Sequence, residues 1–177
     1  MNLITLFRSV TMIVMGPVSL TQLEVEVRAL NANKVLIVTD QGLIEAGLVK
    51  KAADLLQKAD INYAVFKDVE ADPRYEIVAD CVAMILSENP DLIIGMGGGS
   101  PIDIAMVSAV MTTNHGPIAE SFGIDLLPAP GLPTLIIPTP AGTGSEVTPI
   151  AILSDHTEKL KKGIVSPYLF PSTALLD

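Results

Sequence analysis

Residues 91–103 read Asp91-Leu-Ile-Ile-Gly-Met-Gly-Gly-Gly-Ser-Pro-Ile-Asp103, and this stretch gives the clearest indication of the fold class. Its apolar start predicts a strand over 91–95, of the unbroken kind that is buried on both faces of a parallel sheet. Glycines follow, and Pro101 favours the first turn of a helix over about 101–113, where its missing N–H costs nothing. The stretch therefore predicts a strand, a glycine loop and a helix, the repeating unit of an α/β protein.

The same alternation extends over most of the chain. Unbroken apolar runs predict buried strands at 34–39, 61–66 and 134–138, and apolar residues spaced by three and four predict helices at 19–30, 48–59 and 72–87. Ser19 is expected to cap the first helix, with Gln22 in the capping-box position. Strands alternating with helices of this length require right-handed crossovers, so we expect a doubly wound parallel sheet.

The two ends of the chain add short strands. Apolar runs at 3–7 and 10–15 predict an N-terminal β-hairpin, and 162–165 and 174–176 are predicted strands. The stretch 115–133 is rich in proline and glycine and is expected to form a long surface loop. The sequence stops at Asp177, within or just after a strand, which is typical of a chain cut from something longer. We interpret residues 1–177 as one α/β domain.

Composition excludes several function classes. The 177 residues carry 11 basic and 20 acidic side chains, a net charge of −9, with no basic cluster that would favour nucleic acid or an anionic membrane as partner. No run of 18 apolar residues predicts a membrane span. Arg8 inside the first apolar run, and Gly16-Pro17 at its end, argue against a signal peptide. The single cysteine, Cys81, excludes an internal disulfide and a cysteine-rich zinc site, and indicates a cytoplasmic protein.

Open parallel sheets bind ligands at the carboxyl ends of their strands, and two of the loops at such ends suit the adenosine and diphosphate of a nucleotide. Asp40 follows the strand at 34–39, where a carboxylate accepts both hydroxyls of an adenosine ribose and repels a 2′-phosphate; alternatively it only caps the next helix. The glycines at 97–99 let backbone N–H groups approach a diphosphate at a helix N-terminus, or they form only a tight turn. Neither a Walker A loop nor a regular G-x-G-x-x-G motif is present, since Ser100 holds the last position.

A third loop follows the strand at 134–138. Gly142, Thr143, Gly144 and Ser145 offer short hydroxyl donors and close backbone approach, which suits a phosphate or a nicotinamide carboxamide. The alternative is a flexible loop without a ligand. Two glycine loops and an acidic residue after three strands of one sheet together predict a dinucleotide site.

These motifs resemble a known family. Gly97-Gly-Gly-Ser-Pro-Ile-Asp103 followed by Pro138-Thr-Pro-Ala-Gly-Thr-Gly-Ser-Glu-Val-Thr148 is similar to the paired signature of the iron-containing (group III) alcohol dehydrogenases. Gly16, the strand end at Asp40 and the stretch 161–177 match as well, so the resemblance covers essentially the whole chain. Glycerol dehydrogenases and dehydroquinate synthases share the fold; Ser100 and the Gly-Thr-Gly-Ser-Glu segment favour the alcohol dehydrogenase branch.

The resemblance implies an NAD-dependent oxidoreductase that interconverts an alcohol with an aldehyde or ketone. In this family an α/β cofactor domain precedes a helical domain, whose one Asp and three His hold Fe²⁺ (or Zn²⁺). Those ligands lie beyond Asp177, so the chain is similar to the cofactor half only, with no catalytic or metal-ligating residue and no expected activity by itself. His115 and His156 are expected to be solvated loop residues.

The resemblance also assigns roles by position. Asp40 holds the adenosine ribose and favours NAD over NADP, and Lys161 reaches the ribose near the nicotinamide, with Lys162 as the alternative if the register shifts by one. Asp103 caps its helix or contacts the cofactor, capping being the default expectation. The resemblance assigns the diphosphate to Gly97, Gly98, Gly99 and Ser100. It assigns contacts with the phosphate, ribose or nicotinamide to Thr139, Thr143 and Ser145.

The sequence departs from the family's usual pattern at two positions. Met106 replaces a lysine usual in the family, which is expected to remove a positive charge near the phosphates, and Pro140 replaces a common threonine.

The family pairs subunits through the N-terminal hairpin, so residues 3–15 are a predicted homodimer contact. The alternative functions are a non-catalytic nucleotide-binding module, or a shortened relative that acts as an interaction protein.

Overall fold

The computed structural model describes residues 8–177, which form nine strands and five α-helices. The strands are β1 (Met12–Met15), β2 (Lys34–Val38), β3 (Asn62–Phe66), β4 (Leu92–Gly97), β5 (Gly123–Ile124), β6 (Thr134–Pro138), β7 (Ile150–Asp155), β8 (Leu160–Val165) and β9 (Thr173–Leu176). The helices are α1 (Leu23–Ala29), α2 (Gln41–Glu45), α3 (Leu48–Lys58), α4 (Ile77–Glu88) and α5 (Gly99–Met111). Short 3-10 helices cover Ser19–Gln22, Ile118–Ser121, Ser145–Val147 and Pro167–Leu169.

A six-stranded parallel sheet is the framework, as the alternation of strands and helices predicts. Its strand order is β1-β9-β6-β4-β2-β3, and every neighbouring pair is parallel. One apolar core on one face of the sheet includes residues of α1 and α3, and a second core includes residues of α4 and α5. A smaller sheet, β5-β8-β7, contributes to this second core through Ala151, Leu153 and Ile164. Among residues 8–177, no helix is both long enough and apolar enough to cross a lipid bilayer.

Helix α5 is buried along almost its whole length. Every residue from Pro101 to Met111 is buried, because the sequence is apolar on all sides and the helix packs between the main sheet, α4 and the small sheet. Gly95 makes this contact possible. A Cβ atom at Gly95 would lie 2.8 Å from Ile136 Cδ1 and 2.9 Å from Ala105 Cβ, so any side chain would push α5 off the sheet.

Some elements differ from the prediction. Helix α4 begins at Ile77 and not near Asp72, because the backbone of 73–75 pairs with β7: Ser154 N–H donates to the Pro73 carbonyl at 2.9 Å and Tyr75 N–H to the Ser154 carbonyl at 3.1 Å. Strand β7 itself was not predicted. Strand β3 is an edge strand with Asn62 and Tyr63 exposed, so the prediction of a strand buried on both faces is wrong there.

The predicted cap at Ser19 is also wrong. Val18 precedes the first helical turn in a left-handed conformation with φ 60°, and no side chain caps it. Ser19 N–H donates to the Gly16 carbonyl at 3.0 Å, which closes a turn, and the buried Ser19 hydroxyl has no hydrogen-bond partner within the described residues. The turn at Gly16 therefore directs the chain into α1, which begins only at Leu23.

The structure describes only the second strand of the predicted N-terminal hairpin. Its second predicted strand is β1, which lies at the edge of the main sheet and pairs parallel with β9. The first predicted strand, 3–7, lies outside the described residues. The predicted loop at 115–133 contains a 3-10 helix and the two-residue strand β5, which pairs with β8.

We predict that Gly95→Ala lowers the free energy of unfolding by about 1–3 kcal/mol, the usual cost of overpacking a core. Gly163→Ala is the matched control, because a Cβ at Gly163 would find only the Ala151 carbonyl oxygen, at 3.9 Å. The control should stay within about 0.5 kcal/mol of the wild type. Urea unfolding followed by circular dichroism measures both, and equal stability of the two variants would contradict the close contact.

Candidate nucleotide site

A cleft of about 440 Å³ lies at the carboxyl edge of the main sheet. It contains the acidic residue after β2, the glycine loop after β4 and a segment after β3 that the sequence pattern did not indicate. Since β3, β2 and β4 are neighbours in the sheet, their carboxyl ends meet here. The lining residues are Asp40, Gln41, Gly42, Val69, Glu70, Ala71, Gly98, Gly99, Ser100 and Pro101.

Asp40 is placed both to cap a helix and to face this cleft. It is the N-cap of α2, and its Oδ1 accepts the N–H of Leu43 at 3.0 Å. The side chain is half-buried and also lines the cleft. The two interpretations of this residue are therefore compatible, because the cap occupies only Oδ1.

The glycine loop presents the N-terminus of α5. Gly97 has φ 147°, and a Cβ there would lie 2.7 Å from Pro101 Cγ, so this position requires glycine. Gly98 is the N-cap, and no side chain caps α5. The first N–H groups of an α-helix have no partner inside the helix. The N–H groups of Gly99 and Ser100 therefore remain available to an anion, whose charge the helix dipole favours.

The loop after β6 lies against the glycine loop. Thr139 N–H donates to the Gly97 carbonyl at 3.0 Å. A Cβ on Gly99 would lie 3.7 Å from both Thr143 Cγ2 and Ser145 Oγ, so a side chain there would enter the space between the two loops. Thr139 and Thr143 are exposed and Ser145 is half-buried. The structure thus brings the hydroxyl groups of the third loop beside the start of α5.

Asp103 does not cap its helix, so that expectation is wrong. Because α5 begins at Gly99, Asp103 falls in the second turn and is only 7% exposed. Its Oδ2 accepts the N–H of Ile152 in β7 at 3.0 Å, and its Oδ1 is buried without a partner among the described residues. Burial raises the pKa of Asp103 to about 6, and the Ile152 N–H and the nearby Ser145 hydroxyl counteract this.

The two neighbouring lysines have different surroundings. Lys161 is exposed, and its Nζ lies 2.6 Å from Asp72 Oδ1, which lowers the pKa of Asp72. Lys162 lies 2.7 Å from Glu158 and 2.9 Å from Asp155, and both carboxylates raise its pKa. Lys162 therefore stabilises the β7–β8 hairpin. Lys161 and Asp72 line a separate hollow beside the turn between β7 and β8, so the contact of Lys161 with a ligand stays a prediction.

Met106 is 1% exposed and packs in the core with residues of α4 and the main sheet. The expected effect of the missing lysine on cofactor affinity stays a prediction. Pro140 lies beside the glycine loop, since a Cβ on Gly98 would be 3.6 Å from its Cγ. Over residues 8–177, no three His, Cys, Asp or Glu side chains come together as metal ligands. His115 and His156 are both exposed.

Comparisons with known proteins agree with this architecture. The family model described as iron-containing alcohol dehydrogenase matches residues 10–177. The chain is 39% identical to a sulfoacetaldehyde reductase of Bilophila wadsworthia, over 86% of the chain and 39% of that protein. It is 37% identical to long-chain-alcohol dehydrogenase 1 of Geobacillus thermodenitrificans, over 96% of the chain and 45% of that protein.

Solved structures show the same likeness. The structure of a sulfoacetaldehyde reductase from Bifidobacterium kashiwanohense in complex with NAD⁺ superposes with a TM-score of 0.90 at 27% identity, over 99% of this chain and 46% of that one. The chain therefore spans less than half the length of these relatives.

We predict that Asp103 makes the stability of the chain depend on pH. Its pKa rises from 3.8 to about 6 on folding, so its contribution is fully present below about pH 3.8 and is lost as the pH rises to about 6. The loss amounts to about 3 kcal/mol at most, from about 1.36 kcal/mol per pKa unit. Urea unfolding of the wild type and of Asp103→Asn should therefore give a stability difference that changes between pH 4 and 7; parallel curves would contradict the raised pKa.

Proposed function

Because this chain belongs to the iron-containing alcohol dehydrogenase family, we propose that it is the NAD-binding half of an oxidoreductase that interconverts an alcohol with an aldehyde or ketone. One observation carries the proposal: the carboxylate of Asp40 and the uncapped N-terminus of α5 line the same cleft. Carboxylate and helix N-terminus are the two groups that dinucleotide sites of α/β sheets use. The names of the relatives, an aldehyde reductase and an alcohol dehydrogenase, support the reaction class.

The residues of the cleft fit a dinucleotide. Asp40 would accept the hydroxyls of the adenosine ribose through its carboxylate. The N–H groups of Gly99 and Ser100 would donate to the diphosphate, in the space that the missing side chain of Gly99 leaves between the loops. Thr143 and Ser145 would donate hydroxyl hydrogen bonds to the phosphate, ribose or carboxamide.

The other cofactor-binding candidates extend this arrangement. Gly97 and Gly98 shape the loop, the Thr139 N–H donates to the Gly97 carbonyl, and Lys161 would reach the second ribose from the β7–β8 hairpin. A bound nicotinamide ring supplies the hydride acceptor or donor. The protein's part is to hold that ring in one orientation against the substrate.

In this proposal the metal is bound outside residues 8–177. Because no three metal-ligating side chains come together among residues 8–177, these residues do not fit a metal centre. The resemblance assigns Fe²⁺ (or Zn²⁺) to a second, helical domain, while residues 1–177 form the dinucleotide-binding domain. Turnover therefore requires that second domain. Without the second domain, a chain with this cleft would be a non-catalytic nucleotide-binding module, which is the alternative function.

We also propose a homodimer that forms at the β1 edge of the sheet, in the cytoplasm. Met12, Ile13 and Met15 of β1 are exposed large apolar residues, on the outermost strand of the sheet that residues 8–177 form. Exposed apolar edge strands associate with other chains unless they are covered. A second copy of the chain is the expected cover, and the buried, unpaired Cys81 suits a reducing compartment.

We predict that the chain binds NADH and binds NADPH at least about tenfold more weakly, because a carboxylate repels the 2′-phosphate. Asp40→Ser separates the two roles of this residue, since serine still caps α2 but carries no charge. In Asp40→Ser the two affinities should differ by less than about threefold. Isothermal titration calorimetry measures them; unchanged discrimination in Asp40→Ser would remove Asp40 from the ribose site.

We predict that Lys161→Ala weakens NADH binding about three- to tenfold, as expected for the loss of a hydrogen bond to a charged group at an exposed site. Lys159→Ala is the control, because Lys159 is a nearby exposed lysine with the same charge. Calorimetry with NADH and with ADP locates the contact. The loss should be confined to NADH, and an equal loss for ADP would place Lys161 away from the nicotinamide half.

A further inference from the structure

Asp103 is a buried carboxyl group with one unsatisfied oxygen, directly below the nucleotide loops. Its Oδ2 is occupied by the Ile152 N–H at 3.0 Å, which ties α5 to β7. Its Oδ1 is fully buried and has no hydrogen-bond partner among the described residues. Buried polar atoms are nearly always paired, so this oxygen needs an explanation.

The neighbouring segment brings one hydroxyl group close to Asp103 but no cation. The 3-10 helix Ser145–Val147 packs against α5, and the Ser145 hydroxyl lies close enough to Asp103 to affect its pKa. Oε2 of Glu146, in the same segment, is likewise buried without a partner. Among the described residues, no ion pair includes Asp103 or Glu146.

The other charged groups near α5 do not supply a cation that pairs with Asp103. The Cys81 thiol is uncharged, because burial raises its pKa to about 12. Lys34 pairs with Glu88, and Asp155 with Lys162, while Asp80 and Tyr168 are exposed. The elements packed against α5 carry these charged or titratable groups: Lys34 of β2, Asp80, Cys81 and Glu88 of α4, Asp155 of β7, Glu146 and Tyr168. Strands β4 and β6 contribute none.

We propose that Asp103 is a positioning residue that works in its protonated form: its Oδ1–H donates to the Ser145 hydroxyl and holds the 142–145 loop against Gly99. The proton satisfies the one unpaired oxygen, and Oδ2 still accepts the Ile152 N–H. Ser145 then accepts from Asp103 and keeps its own proton for the ligand. A carboxylic acid in an apolar site that serves as a hydrogen-bond donor has precedent in enzymes.

Loss of this proton affects a bound diphosphate in two ways. Ser145 loses its donor, and a negative charge appears four residues below Gly99, about 6 Å along the axis of α5 at 1.5 Å per residue. Like charges at this separation repel measurably in a partly buried site. The affinity for a dinucleotide should therefore fall as the pH rises through the titration of Asp103. This inference rests on the proposed function, since it concerns the same cleft.

ADP-ribose is a suitable probe, because its diphosphate bridge does not titrate near neutral pH. For the wild-type chain, we expect its Kd to rise about three- to tenfold between pH 5.5 and pH 8, from the Coulomb repulsion above. Asp103→Asn imitates the protonated acid, since the amide donates one hydrogen bond and accepts the other. Its Kd should equal the low-pH wild-type value at both pH values. Asp54→Asn, at a half-buried acid paired with Lys50 and remote in sequence from the cleft residues, is the control and should keep the wild-type pH profile.

A ligand-free measurement separates this inference from the proposed function. Carbon-13 NMR of the Asp103 carboxyl group should show a midpoint near pH 6, and a midpoint at or below 4 would overturn the protonated form. A Kd that is independent of pH, or an Asp103→Asn variant that keeps the wild-type slope or binds weakly throughout, would overturn the positioning role alone. Absence of ADP-ribose binding at every pH would instead overturn the proposed function, and the role of Asp103 with it.

Discussion

The close packing of α5 on the main sheet is the contact on which the rest of the structure depends. Gly95 in β4 has no side chain, and this allows Ala105 and Ile136 to come together at the centre of the second core. The helix is apolar on every side, so it is stable only when other elements cover it completely. The main sheet, α4 and the small sheet cover α5, and each of them is positioned by its contact with this helix.

The same packing explains where the site lies. A helix held against the sheet over its full length has its N-terminus fixed at the sheet's carboxyl edge, between the ends of β4 and β6. Gly97 and Gly98 make the turn into that helix, and the loop after β6 lies beside it. The anion-binding end of α5 is therefore preorganised by apolar contacts that are themselves remote from any ligand.

Polar groups within the core connect the small sheet to this site. Asp103 joins α5 to β7 through the Ile152 N–H, and Lys162 with Asp155 stabilises the hairpin in which β7 ends. Each contact is buried or half-buried, where hydrogen bonds and charges have larger effects than at the surface. Lys161, on the same hairpin, pairs with Asp72 at the surface.

The alternation of strands and helices in the main sheet, the glycine loop and the family could be predicted from the sequence, because apolar periodicity and short motifs are local properties. The small sheet, with β7, could not be predicted, and the surroundings of individual side chains depend on the tertiary structure. Nothing local shows that Asp103 contacts β7, that Met106 is buried, or that Lys162 and not Lys161 holds the hairpin. The start of α4 and the conformation at Ser19 also depend on pairing with distant or turn residues. These outcomes follow from which segments meet in space, and long-range contacts override local preference wherever a backbone or buried polar group must find a partner.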